Sequence, residues 1–158
     1  MTAVERRPTR RPPSPAGRRV GYLIAIAVNL LLLYLVNVRP GWDAVGFLTD
    51  ETVEVIPLVN LSLIVGVAVN ALYLGYDGRR LVALGGLATT GVGLAVLARM
   101  WQVFPFAFSA GTDWGLVVRV VLVFAMAGSG IAMLVQFVQL VSGGRTKIPH
   151  GAVDAQVR

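Results

Sequence analysis

Four uninterrupted apolar stretches, at roughly residues 20–38, 55–76, 81–104 and 115–141, constrain this chain more than any other feature. A transmembrane helix needs about 20 consecutive apolar residues to cross about 30 Å of hydrocarbon, and each stretch meets that length. Lipid offers no hydrogen bonds to a backbone, so segments of this kind fold as helices, which satisfy their own N–H and C=O groups. A mean hydropathy of +0.72 and 56% hydrophobic content exclude an ordinary soluble domain. The runs occupy most of the 158 residues, leaving no room for a separate soluble unit. The expected fold is therefore all-α: an integral membrane four-helix bundle over residues 20–141, between tails at 1–19 and 142–158.

The charges sort onto two sides of these runs. Arg6, Arg7, Arg10, Arg11, Arg18 and Arg19 precede the first. Arg79 and Arg80 separate the second from the third, and Arg145, Lys147 and Arg158 follow the fourth. The other two connections carry Asp43, Asp50, Glu51, Glu54 and Asp113 against Arg39. Cations on alternate sides of an even number of spans place both termini in the cytoplasm, in a multi-pass protein of the cytoplasmic membrane. The same rule and the anionic inner leaflet account for most of the net charge of +6, so it is no sign of nucleic-acid binding.

The sequence Arg18-Arg19-Val20-Gly21-Tyr22-Leu23 faintly echoes a twin-arginine export signal. The run that follows is long for a signal peptide and ends at Asn37-Val38-Arg39-Pro40 without a small-residue cleavage site, which favours an uncleaved first span. The tail before it, with Pro8, Pro12, Pro13 and Pro15, has little to bury and is expected to be disordered. It serves as a topology signal or as a docking segment for anionic lipid. Between the first two spans, Thr49-Asp50-Glu51-Thr52 reads as a capped helix start, and Pro57 as a kink near the outer interface. Asp77-Gly78 supplies a tight inner hairpin that makes spans two and three antiparallel neighbours. Trp101, Phe104, Phe106, Phe108 and Trp114 form an expected aromatic belt.

Two arginines break the charge sorting from inside the apolar runs. Arg99 lies about 28 Å beyond Arg80 along a helix, and Arg119 about 7–8 Å beyond Trp114, so both sit at similar depth in the outer leaflet. An ionisable group costs at least about 2.5 kcal/mol at the bilayer centre and usually faces the bundle or a cavity. Together with Gln102, Glu54 and Asp113 they make up a candidate outer-leaflet polar or ligand site. That group could form a vestibule for an anionic ligand. The favoured alternatives are an Arg–carboxylate network, with Glu54 paired to Arg99 or Arg119, or arginines reaching lipid phosphate.

Membrane-embedded amides (Asn29, Asn37, Asn60, Asn70, Gln102, Gln136, Gln139) read more readily as inter-helix glue than as a polar path. Small residues at Gly85-x-x-x-Thr89-x-x-x-Gly93, Ala71-x-x-x-Gly75 and Gly128-x-x-x-Ala132 give smooth faces for close helix approach, within the bundle or at a dimer seam. Ala27-Val28-Asn29 recurs at Ala68-Val69-Asn70, and Gly91–Leu97 resembles Gly128–Leu134. Such short matches arise easily in an apolar vocabulary.

Chemistry-bearing motifs are missing from the sequence. There is no cysteine, His150 stands alone in the tail, and Ser129 has no base on its helix. No catalytic pair, metal cluster or phosphate cradle appears, so no enzyme, cofactor or metal is expected.

The segments Phe47–Ser62 (FLTDETVEVIPLVNLS) and Arg99–Phe106 (RMWQVFPF) resemble those of uncharacterised small four-span membrane proteins of actinobacteria. A GC-rich genome would fit the use of arginine at every cationic position but Lys147. The resemblance covers residues 20–142 and implies the fold without an activity. The reading is a non-enzymatic structural or accessory membrane protein that works through helix packing, as a homo-oligomer or a subunit of a larger complex. The alternative is a small transporter or anionic-ligand-binding protein with an outward-facing site.

Overall fold

A computed structural model describes residues 14–76, 78–108 and 113–142. Within them are four helices: α1 (Pro15–Asn37), α2 (Ile56–Gly75), α3 (Arg79–Val103) and α4 (Trp114–Ser142), with a 3₁₀ segment at Asp50–Glu54. At 1.5 Å per residue these helices are about 30–44 Å long, and each is apolar enough to cross a membrane. The fold is an all-α four-helix bundle, and the chain is a multi-pass membrane protein.

Consecutive helices pack antiparallel: α1 on α2, α2 on α3 and α3 on α4, with no contact between α1 and α4 among the described residues. At the end where α1 begins and α4 finishes, the ring of Tyr22 on α1 sits 5.2 Å from that of Tyr73 on α2. The Tyr73 hydroxyl donates to the Val82 carbonyl of α3 at 2.9 Å. At the opposite end, here the cap end, Asn37 and Asn60 exchange two amide hydrogen bonds of 2.8 and 2.7 Å between α1 and α2. Thr90 and Gln136 join α3 to α4 deeper in the bundle, through a 3.1 Å bond from Gln136 Nε2.

Because the helices are arranged in series, little of the bundle is interior. Among the described helical residues, only Gly66, Val69 and Tyr73 of α2 and Leu122 of α4 are buried, and α1 buries nothing. Its half-buried residues Tyr22, Ala25, Asn29, Leu33 and Val36 recur at helical spacing and form the one face turned to α2. The remaining apolar side chains, such as Phe124 and Leu134, face outward where lipid lies. Close approach depends on missing side chains. A Cβ on Gly66 would meet the Asn29 amide at 2.9 Å, and one on Gly85 would collide with Tyr73 and Val69.

Three local expectations are corrected. The first helix begins at Pro15 rather than 20, so residues 15–19 are helical, not part of a disordered tail. Ser14 is its N-cap, its Oγ accepting from the Gly17 N–H at 3.1 Å, and Pro15 supplies the preset φ of a first helical position. Pro57 does not kink α2. It lies in the first turn, where its missing N–H has no intrahelical acceptor to lose. Thr49 flanks the 3₁₀ segment without capping it through its side chain. Asp77, the tail at residues 1–13 and the segment after Ser142, including His150, lie outside the described residues.

Candidate functional site

The cap end is tied together by the two long connections. The Thr49 N–H donates to the Pro105 carbonyl at 3.1 Å, and the Ala107 N–H to the Phe47 carbonyl at 2.9 Å. Leu48 and Phe106 thereby form an isolated antiparallel bridge. Rings line this seam: Phe47 stacks on Phe108 at 5.9 Å, Phe108 on Phe106 at 6.1 Å, and Phe106 meets Phe104 edge-on at 5.5 Å. Val55 and Pro105 are fully buried beneath it. The expected aromatic belt is thus also a packing element. It is joined by Phe47, which no sequence pattern singles out.

In this frame the five candidate residues separate. Arg99 Nη2 donates to Glu54 Oε2 at 2.5 Å, and its Nη1 lies 3.5 Å from Gln102 Oε1. The pairing of Arg99 with Glu54 is one of the two expected. Arg119 makes no carboxylate contact among the described residues. Its guanidinium carbon lies 4.2 Å from the centre of the Phe104 ring and 5.4 Å from that of Trp101. Asp113 contributes through its backbone, its carbonyl accepting from the Leu116 and Val117 N–H groups at the start of α4.

Helix geometry explains the split. Arg99 and Trp101 are two residues apart, about 200° around α3 at 3.6 residues per turn, so they face opposite sides. Arg99 turns toward the 3₁₀ segment, Trp101 toward α4. Side chains also lean toward their helix N-terminus. α3 reaches the cap end with its C-terminus, so Arg99 leans inward and is compensated by Glu54. α4 starts at the cap end, so Arg119 leans outward toward the interface. Arg99 and Arg119 therefore meet different neighbours.

The 3₁₀ segment holds two further polar features. The exposed Glu51 carboxyl is held below its ordinary range by the neighbouring Thr49 side chain and by its own backbone N–H. Thr52 is 6% exposed, and its hydroxyl has no hydrogen-bond partner.

Away from the cap, an open groove of about 660 Å³ runs between α2, α3 and α4, lined by Ser62, Thr90, Gly93, Val96, Gly128 and Ala132 among others. Three of its four hydroxyls are bonded within the protein, and that of Ser129 has no hydrogen bond among the described residues. Ser62 Oγ donates to the Val59 carbonyl at 2.8 Å, Thr89 Oγ1 lies 2.9 Å from the Gly85 carbonyl, and Thr90 pairs with Gln136. Asn29 and Asn70 likewise donate to the carbonyls of Ala25 and Gly66 at 2.7 Å. The groove presents methyl, methylene and backbone surface together with the Ser129 hydroxyl. The small-residue faces seen in the sequence diverge. Gly85 packs against α2, while Gly93 and Gly128 line the groove, with nothing within 4 Å of where a Cβ would stand.

No family model, curated protein or solved structure matches this chain.

Proposed function

We propose that this chain is a non-enzymatic structural or accessory protein of the cytoplasmic membrane, acting by seating a partner helix in the groove between α2, α3 and α4. One observation carries the reading: the groove is open and lined mainly by small residues, with three of its four hydroxyls bonded within the protein. Without a hydrophobic drive between helices in lipid, close backbone approach at small residues is what favours association. The occupant belongs to a second copy of the chain or to another membrane subunit. The positive-inside rule orients both termini to the cytoplasm and the cap end outward.

Filling the groove tests the proposal. Gly93→Leu with Gly128→Leu adds bulk where neither side chain meets protein, so the monomer is expected to fold while the copurifying helix partner, self or other, is lost in mild detergent. An unchanged assembly would refute the reading. The alternative of a transporter or anion-binding protein would instead show a small anion retained by the purified wild-type protein and lost on Arg99→Gln.

A further inference from the structure

The two intramembrane arginines are chemically different. Arg99 has a carboxylate partner, whereas Arg119 is exposed on α4 and has no hydrogen bond or ion pair among the described residues. A guanidinium carries five N–H donors in one plane and never loses its charge at physiological pH. Its backbone lies inside an apolar run, so donors that reach no acceptor at the interface are costly.

The surroundings of Arg119 are built to hold it in place. Phe104 occupies the left-handed region at φ 47°, ending α3, a conformation rare for a residue with a bulky side chain. That turn puts its ring under Arg119 and within 4.0 Å of where a Cβ on Gly115 would stand. Trp101 supports the guanidinium from the preceding turn of α3. Cation–π contact neutralises none of the charge, and it leaves the N–H edge of the group for another acceptor. Below Arg119, the exposed Val120, Val123 and Phe124 continue down α4.

We propose that Arg119, Phe104 and Trp101 form a binding site for the phosphodiester headgroup of an anionic phospholipid. The guanidinium edge donates to the phosphate oxygens, and the acyl chains lie along Val120, Val123 and Phe124. Planar, bidentate recognition of phosphate suits arginine. The outward lean of the side chain places its tip at headgroup depth. The site goes beyond the helix-packing function and does not depend on it.

Tryptophan quenching isolates this site from Arg18 and Arg19, which lie at the other end of the bundle. The full chain carrying Trp42→Phe and Trp114→Phe retains Trp101 as its sole tryptophan, excited selectively over tyrosine, and is reconstituted in phosphatidylcholine vesicles containing a minor fraction of brominated lipid. Brominated phosphatidylglycerol is expected to quench Trp101 with about tenfold preference over brominated phosphatidylcholine, because it lacks the choline cation that repels the guanidinium beside the phosphate they share. Arg119→Gln should bring the two lipids to parity. An undiminished preference in R119Q would overturn the proposal, as would its loss on adding inorganic phosphate, which would show a site for free anions. If R119Q folds poorly, Arg119→Lys carries the test. It keeps the charge without the planar fork, and a preference equal to wild type would overturn the stacked-guanidinium geometry.

Discussion

At the scale of single residues, the outcome for each polar group depends on which neighbour reaches it. Thr52 illustrates the cost when none does. A buried hydroxyl without a partner forfeits about 1–3 kcal/mol of hydration, whereas an apolar group of the same shape does not. Thr52→Val is therefore expected to raise thermal stability, read as the temperature at which detergent-solubilised protein leaves the monodisperse peak after heating. A fall would mean that a hydrogen bond to that hydroxyl holds the cap together. Asn37 and Asn60 show the opposite situation: each amide satisfies the other, fixing the register of α1 against α2 at the cap end. Glu54 and Arg99 do the same between the 3₁₀ segment and α3, though the pair is half-exposed and in water would contribute less than about 1 kcal/mol.

At the scale of elements, helix ends and faces follow rules that vary in how visible they are in sequence. The start of α1 was written in Ser14-Pro15, a capping residue followed by proline, and its meaning was hidden by the arginine-rich tail around it. Pro57 was visible too, but a proline kinks a helix only when the helix already runs for a turn before it. The preceding turn is 3₁₀ and breaks at Val55. Small-residue faces are ambiguous for a similar reason, since the motif shows a smooth surface without showing what lies on it. Gly85 and Gly93 share one face of α3 yet differ in their neighbours. Gly85→Leu should strongly destabilise the α2–α3 pair, by the roughly 1–3 kcal/mol of overpacking or more. Gly93→Leu alone should leave stability unchanged. Equal effects in a heat-stability assay would contradict this packing.

At the scale of the whole molecule, the serial arrangement leaves α1 and α4 as open edges and creates the groove. Each outer helix has one neighbouring helix among the described residues, so lipid or a partner covers the rest. The proposed orientation is checked with the chain's lack of cysteine. Ser14→Cys should react with a membrane-impermeant maleimide only after the cytoplasmic face is opened, and Ala107→Cys in intact cells. Labelling of Ser14→Cys in intact cells would invert the topology.

Span number, helical class and approximate boundaries followed from the sequence alone, because hydropathy and backbone hydrogen bonding in lipid act over contiguous residues. The presence of two unusual arginines at one depth was equally legible, since rise per residue converts sequence distance to depth. Their partners were not. Glu54 lies 45 residues from Arg99, and the rings beneath Arg119 belong to the neighbouring helix and its C-terminal turn. Which of them meets which arginine depends on the rotation of α3, the left-handed turn at Phe104 and the direction in which each helix crosses. Those are set only when the helices pack, and packing is what left one arginine paired with a carboxylate and the other exposed on α4 against two aromatic rings.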